Sequence, residues 1–287
     1  MKTILIIGAY GLVCSNICKK LERDFPDIKI KKVKFDEVYG YFEDSSFDYI
    51  IYGAGYGQPL KFVEDKINTI RINTEVLYDT FKLLKPNGKF LYISSSEVYS
   101  GAKSPYKETD IGTTTPQHPR ACYIEGKRCG EAICMAYKEQ GYDVKIARLA
   151  LAYGEGTKKG DTRVINQFIE QALTTGEIVM RDKGEAIRTY LYIDDCVEML
   201  TEILFEGKSC VYNVGGVSGT SIYELAVLIG ELTGTKVIQG SEPLVGSPDD
   251  VKLSLSKTLK EFPRRFIELN TGIKLTVNYQ KQLYGQS

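Results

Sequence analysis

Thr3–Ile7 reads TILII and runs directly into Gly8, Gly11 and a helical pattern from Leu12 to Arg23. An apolar run without polar alternation fits a strand covered on both faces, and only a sheet flanked by helices on both sides provides that cover. The same rhythm recurs. Ile28–Phe35, Phe47–Tyr52, Lys89–Ser94 and Val144–Leu149 read as strands. Between them lie helical patterns over Ile67–Leu84, stopped by Pro86-Asn87-Gly88, and over Tyr123–Gln140, closed by Gly141. Strands alternating with helices of this length predict a doubly wound, right-handed parallel α/β sheet over residues 1–150. Past residue 150 the rhythm loosens into helices at Asn166–Thr174, Asp195–Phe205 and Ser221–Thr233, with a short strand at Cys210–Val214. Residues 151–287 therefore read as a smaller substrate lobe interleaved with the sheet.

Composition narrows the function classes. The chain has 287 residues, 43% of them hydrophobic, and 37 basic against 37 acidic side chains. Balanced, scattered charge argues against a nucleic-acid partner. No apolar run approaches the roughly 18 residues a membrane-spanning helix needs. The N-terminal apolar stretch lacks a signal-peptide pattern, which points to a cytoplasmic protein. Seven cysteines without CxxC spacing read as free thiols in a reducing compartment. The single histidine, His118, lies between prolines and reads as a loop residue, so no metal is expected.

The turn Gly8-Ala-Tyr-Gly11 between first strand and first helix suits a dinucleotide. Without side chains, a pyrophosphate can approach the backbone, and the helix start at Leu12 and Val13 favours its negative charge. Cys14 occupies the position of the third glycine expected in such a turn. Gly53-Ala54-Gly55 ends the third strand and would border the same crevice, placing Ala54 against the cofactor. Asp36, at the end of the second strand, is the candidate for the ribose hydroxyls. Lys31, Lys32 and Lys34 could receive a 2′-phosphate, but they read more simply as a solvated strand face. NAD is therefore expected rather than NADP.

Tyr123 and Lys127 stand four residues apart and so share one helical face. A free phenol, with a pKa of about 10, is a poor base at neutral pH. A lysine cation beside it favours the phenolate and makes it a proton acceptor.

Taken in order, Gly8/Gly11, Asn73 in INTIRIN, Ser94-Ser95-Ser96-Glu97-Val98-Tyr99, the Tyr123/Lys127 pair, Ala147-Arg148-Leu149 with Tyr153-Gly154, and Tyr212-Asn213-Val214-Gly215 resemble the extended short-chain dehydrogenase/reductases. Within them, the likeness is to the nucleotide-sugar epimerases and dehydratases. The resemblance covers nearly the whole chain and implies a Rossmann-type fold. It implies that Tyr123 is the base and that Lys127 binds the nicotinamide ribose. Ser95 would hydrogen-bond the sugar hydroxyl, and Asn73 would belong to the cofactor side. It makes Glu97 a candidate proton carrier at sugar C5, Ser96 a substrate contact, and Arg163 and Arg188 forked donors to the substrate diphosphate. It also implies a homodimer through the helices at Asn73–Leu84 and Tyr123–Tyr137.

PRACYIEGKR, SSEVY and RVINQFI look most like UDP-glucuronate decarboxylases, which oxidise C4, lose CO₂ and reduce the ketone. The chain departs from that pattern at four places. Val251 stands where those enzymes carry an arginine, Leu151 where they carry asparagine, and Ser100 where they carry glycine. The segment between the second strand and FDYIIY is also short enough to lack a strand. The expectation is an NAD-dependent epimerase or dehydratase acting on a nucleotide sugar. A decarboxylase and a non-catalytic dinucleotide sensor are the alternatives.

Overall fold

The structure, a computed structural model, describes residues 1–41, 46–242 and 250–285. The first half contributes β1 (Lys2–Ile7), α1 (Leu12–Asp24), β2 (Ile28–Val33), β3 (Phe47–Tyr52), α2 (Pro59–Glu64), α3 (Lys66–Asn73), α4 (Glu75–Thr80), β4 (Leu84–Ser95), α5 (Ala121–Glu139) and β5 (Asp143–Leu149). The second half adds β6 (Ala152–Tyr153), α6 (Val164–Thr174), β7 (Glu177–Val179), β8 (Ile187–Thr189), β9 (Leu191–Tyr192), α7 (Ile193–Glu206) and β10 (Val211–Val214). It finishes with β11 (Gly219–Ser221), α8 (Ile222–Thr233), β12 (Lys236–Ile238), β13 (Asp250–Val251), α9 (Ser256–Glu261) and α10 (Leu269–Tyr284).

The central sheet has the order β10-β5-β4-β3-β1-β2, and every pairing in it is parallel. This is the α/β architecture the apolar runs predict, with one strand, β10, supplied from beyond residue 150. Ile4, Leu5, Ile6 and Ile7 are all fully buried, as a strand with helices on both faces requires. One core packs α1, α6, α7 and α8 on one face, and a second packs α3, α4 and α5 on the other. β1 pairs with β2 on one side and β3 on the other. The chain thus reverses direction across the sheet at β1, which opens a crevice beyond the carboxyl ends of β1 and β3.

Two readings are corrected by the structure. The helix expected over residues 67–84 is broken at Thr74, where φ −123° and ψ −80° separate α3 from α4. Pro86-Asn87-Gly88 does not precede the next strand but lies within β4. Pairing with β3 jumps from Phe47↔Leu84 to Tyr49↔Lys89. The three residues form an irregularity in the ladder, with Asn87 at φ +62°. Helices α2, α9 and α10 were not foreseen. The shortened segment after β2 leaves that strand at the sheet edge, followed by a 3₁₀ turn at Phe35–Tyr41.

Gly8 holds φ +80°, and a Cβ there would lie 2.8 Å from Ala54 N and 2.8 Å from Gly53 O. Both the conformation and the space demand glycine. Gly8→Ala is expected to destabilise the fold by about 1–3 kcal/mol. Urea unfolding of the two proteins measures it, and unchanged midpoints would contradict this account of the turn.

Candidate active site

The crevice over β1 and β3 contains a cavity of about 230 Å³ lined by Gly8, Tyr10, Gly11, Asp36, Ala54 and Gly55, among others. Gly11 caps α1 without a side-chain hydrogen bond, and no acidic residue occupies the first turn of that helix. The amide groups of that turn are therefore available to an anion. Leu12 and Val13 pack against the core from the same turn. Cys14 is fully desolvated, its thiol pushed up to about 12 by burial. Its Sγ sits against Gly53, in space that a Gly53 side chain would need. The glycine missing at 14 is thus made up for by glycine at 53, and helix and strand still pack closely.

Asp36 lies exposed at the cavity wall beside Lys34. Lys32 pairs with Glu22 at 2.6 Å and Lys31 rests over the Tyr41 ring at 4.9 Å. The residues present fit a dinucleotide: a bare glycine floor, an uncapped helix start and a carboxylate at the far wall.

At the other end, Gly55 brings the crevice to α5, since a Cβ on it would lie 3.7 Å from Lys127 Nζ. Tyr123 and Lys127 share a face of α5 as their spacing predicts, with Lys127 Nζ 5.9 Å from the Tyr123 ring centre. Ser95, at the carboxyl end of β4, lies beside the Tyr123 phenol and accepts the Glu97 amide at 3.2 Å. Desolvation pushes the phenol up to about 12, with the neighbouring Ser95 hydroxyl and Arg120 opposing that and Glu97 reinforcing it. Lys127 is 4% exposed and donates to the Ile93 carbonyl at 2.9 Å. Burial lowers it to about 8, against the raising influence of Glu131. In this state, therefore, burial rather than the lysine charge governs the tyrosine.

Glu97 faces Arg120 at 2.5 Å, and burial raises its carboxyl while Arg120, His118 and Arg188 oppose the rise. Ser96 opens the 3₁₀ turn Ser96–Tyr99 beside them. Arg188, on β8, is adjacent in the ladder to Val251. Arg163 is placed differently from the expectation. Its guanidinium is taken up by Asp161, at 2.9 and 2.6 Å, and by the Ala152 carbonyl at 3.2 Å. A diphosphate could reach it only by displacing that pair. Asn73 is fully buried, donating to Thr69 O at 2.8 Å and accepting from Tyr92 at 3.2 Å. Among the described residues it lies behind the crevice, and Ile72 supplies the lining there.

Reasoning from the sequence missed Arg120 and Phe62. Arg120 sits within the quoted PRACYIEGKR stretch, but nothing in its spacing announces the pairing with Glu97. It also missed Glu131, one further turn along the Tyr123/Lys127 face. Glu131 accepts from Ser94 Oγ at 2.6 Å and from Arg148 at 2.7 Å. The i, i+4, i+8 spacing was the available signal.

A doubly wound nucleotide-binding sheet with a Tyr/Lys/Ser constellation at its crevice defines a short-chain dehydrogenase/reductase type of site. The chain belongs to the NAD dependent epimerase/dehydratase family, whose profile matches residues 4–215. It is 32% identical over 256 residues to UDP-glucuronic acid decarboxylase 1 of Xenopus tropicalis, covering 82% of this chain and 61% of that protein. The fold is similar to UDP-glucose 4-epimerase of Thermotoga maritima, with a TM-score of 0.85, 22% identity, and coverage of 98% and 99%. It is also similar to UDP-glucuronic acid 4-epimerase of Bacillus cereus, solved with UDP-glucuronic acid and NAD, with a TM-score of 0.82, 21% identity, and coverage of 98% and 100%.

The pH dependence of folding reads out the buried lysine. The folded value of Lys127, about 8, lies below its ordinary 10.5. Across that window the unfolded chain holds a proton that the folded chain has released, so the Lys127 contribution to stability rises with pH. Wild type is expected to gain stability relative to Lys127→Met between about pH 8 and pH 10.5. Thermal melts of both proteins across that range check it, and parallel curves would refute the burial argument.

Proposed function

We propose that this chain oxidises the C4 hydroxyl of a nucleotide-activated sugar, using NAD held in the glycine-lined crevice. It then epimerises the resulting ketone, eliminates water from it or reduces it. The observation that supports this most is that Gly55, on the wall of the glycine-lined crevice, also borders Lys127, which shares its helix face with Tyr123 beside Ser95. NAD, when bound, accepts a hydride from the sugar carbon and can return it. The chain's own residues manage the proton. Ser95 orients the sugar hydroxyl, and Tyr123, once ionised, receives the proton from that oxygen. Lys127 is close enough to favour the phenolate by charge.

Gly8, Gly11, Leu12, Val13 and Ala54 would frame the cofactor, and Asp36 would meet its ribose hydroxyls. Lys31 and Lys32 are engaged elsewhere, and although Lys34 also lines the cavity, the Asp36 carboxylate beside it favours NAD over NADP. Asn73 would act at one remove, by tying α3 to Tyr92 beneath Lys127. Glu97, with its raised carboxyl, would move a proton at C5. Ser96, after β4, and Arg188, from the lobe, would contact the substrate, with residues 151–287 forming most of its nucleotide-sugar surface. No described helix is long and apolar enough to cross a membrane.

Tyr123→Phe is expected to lower turnover of a nucleotide sugar by about 10²- to 10⁴-fold. Turnover at the wild-type rate would refute the reading. A second reading, UDP-glucuronate decarboxylation, is favoured by the name of the frog relative. Val251 beside Arg188 supplies no second cation for a sugar carboxylate. Incubation with UDP-glucuronate is therefore expected to release little CO₂, and stoichiometric release would promote the second reading over the first.

Ile67 (79% exposed), Ile70 (43%) and Tyr78 (51%) on α3 and α4, with Met135 (36%) on α5, support pairing of two copies through these helices. Sedimentation is expected to show a dimer at micromolar concentration. Monomer alone would remove that proposal.

A further inference from the structure

Phe62 sits at the centre of a stack that no sequence motif marks. α2 is a single short helix, opened by Pro59 at its first turn, and the Phe62 side chain on it is 2% exposed. Its ring lies nearly parallel on the Tyr123 ring, with centroids 4.5 Å apart and an interplanar angle of 12°. The Arg120 guanidinium stands 5.3 Å from the Phe62 ring centre and pairs with Glu97 at 2.5 Å. Phe62 is also held through its backbone. Its carbonyl accepts from Cys122 Sγ at 3.2 Å and from Thr69 Oγ1 at 3.3 Å, joining α2 to α5 and α3.

We propose that Phe62 is a positioning residue, an aromatic brace backed by Arg120 that holds the Tyr123 ring in line with Ser95 and keeps water off its outer face. A tyrosine ring has few torsions, but a phenol that must accept a proton from one substrate oxygen tolerates little displacement. Parallel stacking at this separation favours one ring orientation, and the Arg120 cation 5.3 Å from the Phe62 ring centre adds to the hold on that ring. An aliphatic residue would fill part of the volume without imposing the plane. The charged and polar groups around Tyr123 are Ser95 on β4, Glu97 on the following turn, and Arg120 and Lys127 at and within α5. From α2 itself, Lys61 and Glu64 point outward and are exposed. The contribution of α2 to Tyr123 is therefore apolar cover, and replacing Phe62 changes hydration rather than charge.

Only the catalytic consequence rests on the proposed oxidation; the stack itself does not. The test uses the full chain with Phe62→Leu and Phe62→Tyr, each made also with Tyr123→Phe. The ultraviolet difference between each protein and its Tyr123→Phe partner reports ionisation of that one phenol without any substrate. Tyr123 is expected to ionise at lower pH in Phe62→Leu than in wild type, because water reaches it, and Phe62→Tyr is expected to restore the wild-type titration. With a nucleotide sugar, Phe62→Leu is expected to lower kcat on the order of tenfold while KM stays within about twofold. Phe62→Met carries the same test if melting shows that Phe62→Leu does not fold. An unchanged Tyr123 titration in a folded aliphatic variant, or equal losses in the aliphatic and tyrosine variants, would overturn the brace. If wild type turns over no nucleotide sugar, the functional proposal falls alone, and the titration still decides the brace.

Discussion

The close approach of Gly8 to Gly53 and Ala54 is the contact on which the rest of the molecule depends. It brings the end of β1 against the end of β3 at the point where the sheet reverses its winding. The crevice exists because nothing projects into that junction. From it the two ends of the site follow: the α1 amide groups and Asp36 on one side, and Gly55 leading to Lys127 on the other. A side chain at Gly8 would part the strands and misplace both ends together, so fold and site share a single constraint.

Helix α5, which carries Tyr123 and Lys127, is anchored from behind by charge. Glu131 receives Ser94 and Arg148, Arg148 donates to the Tyr99 hydroxyl at 2.8 Å, and Tyr99 donates to Asn213 at 2.7 Å. This chain of bonds runs from β4 through α5 and β5 to β10, joining the cofactor half to the strand supplied by the second half. Glu131 and Arg148 are both largely buried, and such a pair tends to contribute specificity of arrangement more than net stability. Its directional bonds select the rotation of α5 about its own axis, and that rotation decides where Tyr123 and Lys127 point.

Much of this was legible because it depends on local periodicity. The strands Phe47–Tyr52 and Val144–Leu149 and the helix carrying Tyr123 were readable from apolar spacing, since their burial is set by the sheet alone. The break at Thr74 and the irregularity at Pro86-Asn87-Gly88 were not, because both come from pairing and packing with distant segments. Asn87 looks like a helix stop in isolation, and only the shifted register with β3 shows it inside a strand. The same division holds in the site. Gly8, Ser95, Tyr123 and Lys127 follow from motif spacing. Arg163, by contrast, was read as a ligand for phosphate, and its nearest acid, two residues away in sequence, takes it up instead. Phe62 and Arg120 are remote from each other in the chain and meet only through the docking of α2.

The departures from the family pattern bear on whether the site is a working one. Cys14 is accommodated by Gly53, so the crevice keeps its floor. Leu151 is held at φ +24°, a conformation asparagine tolerates better, yet its carbonyl still accepts the Leu191 amide at 3.2 Å and keeps β6 beside β9. Against these adjustments stand Lys127 and Glu131, 4% and 8% exposed, inside an otherwise well-packed core. A protein that only binds a dinucleotide would be more stable with apolar residues of similar size at those positions, since desolvating an isolated ammonium costs several kcal/mol. Retaining a buried cation that, among the described residues, pairs with no carboxylate, on the same helix face as the Tyr123 phenol, makes physical sense when a proton has to be moved there. The arrangement therefore weighs toward catalysis and against the binding-only alternative.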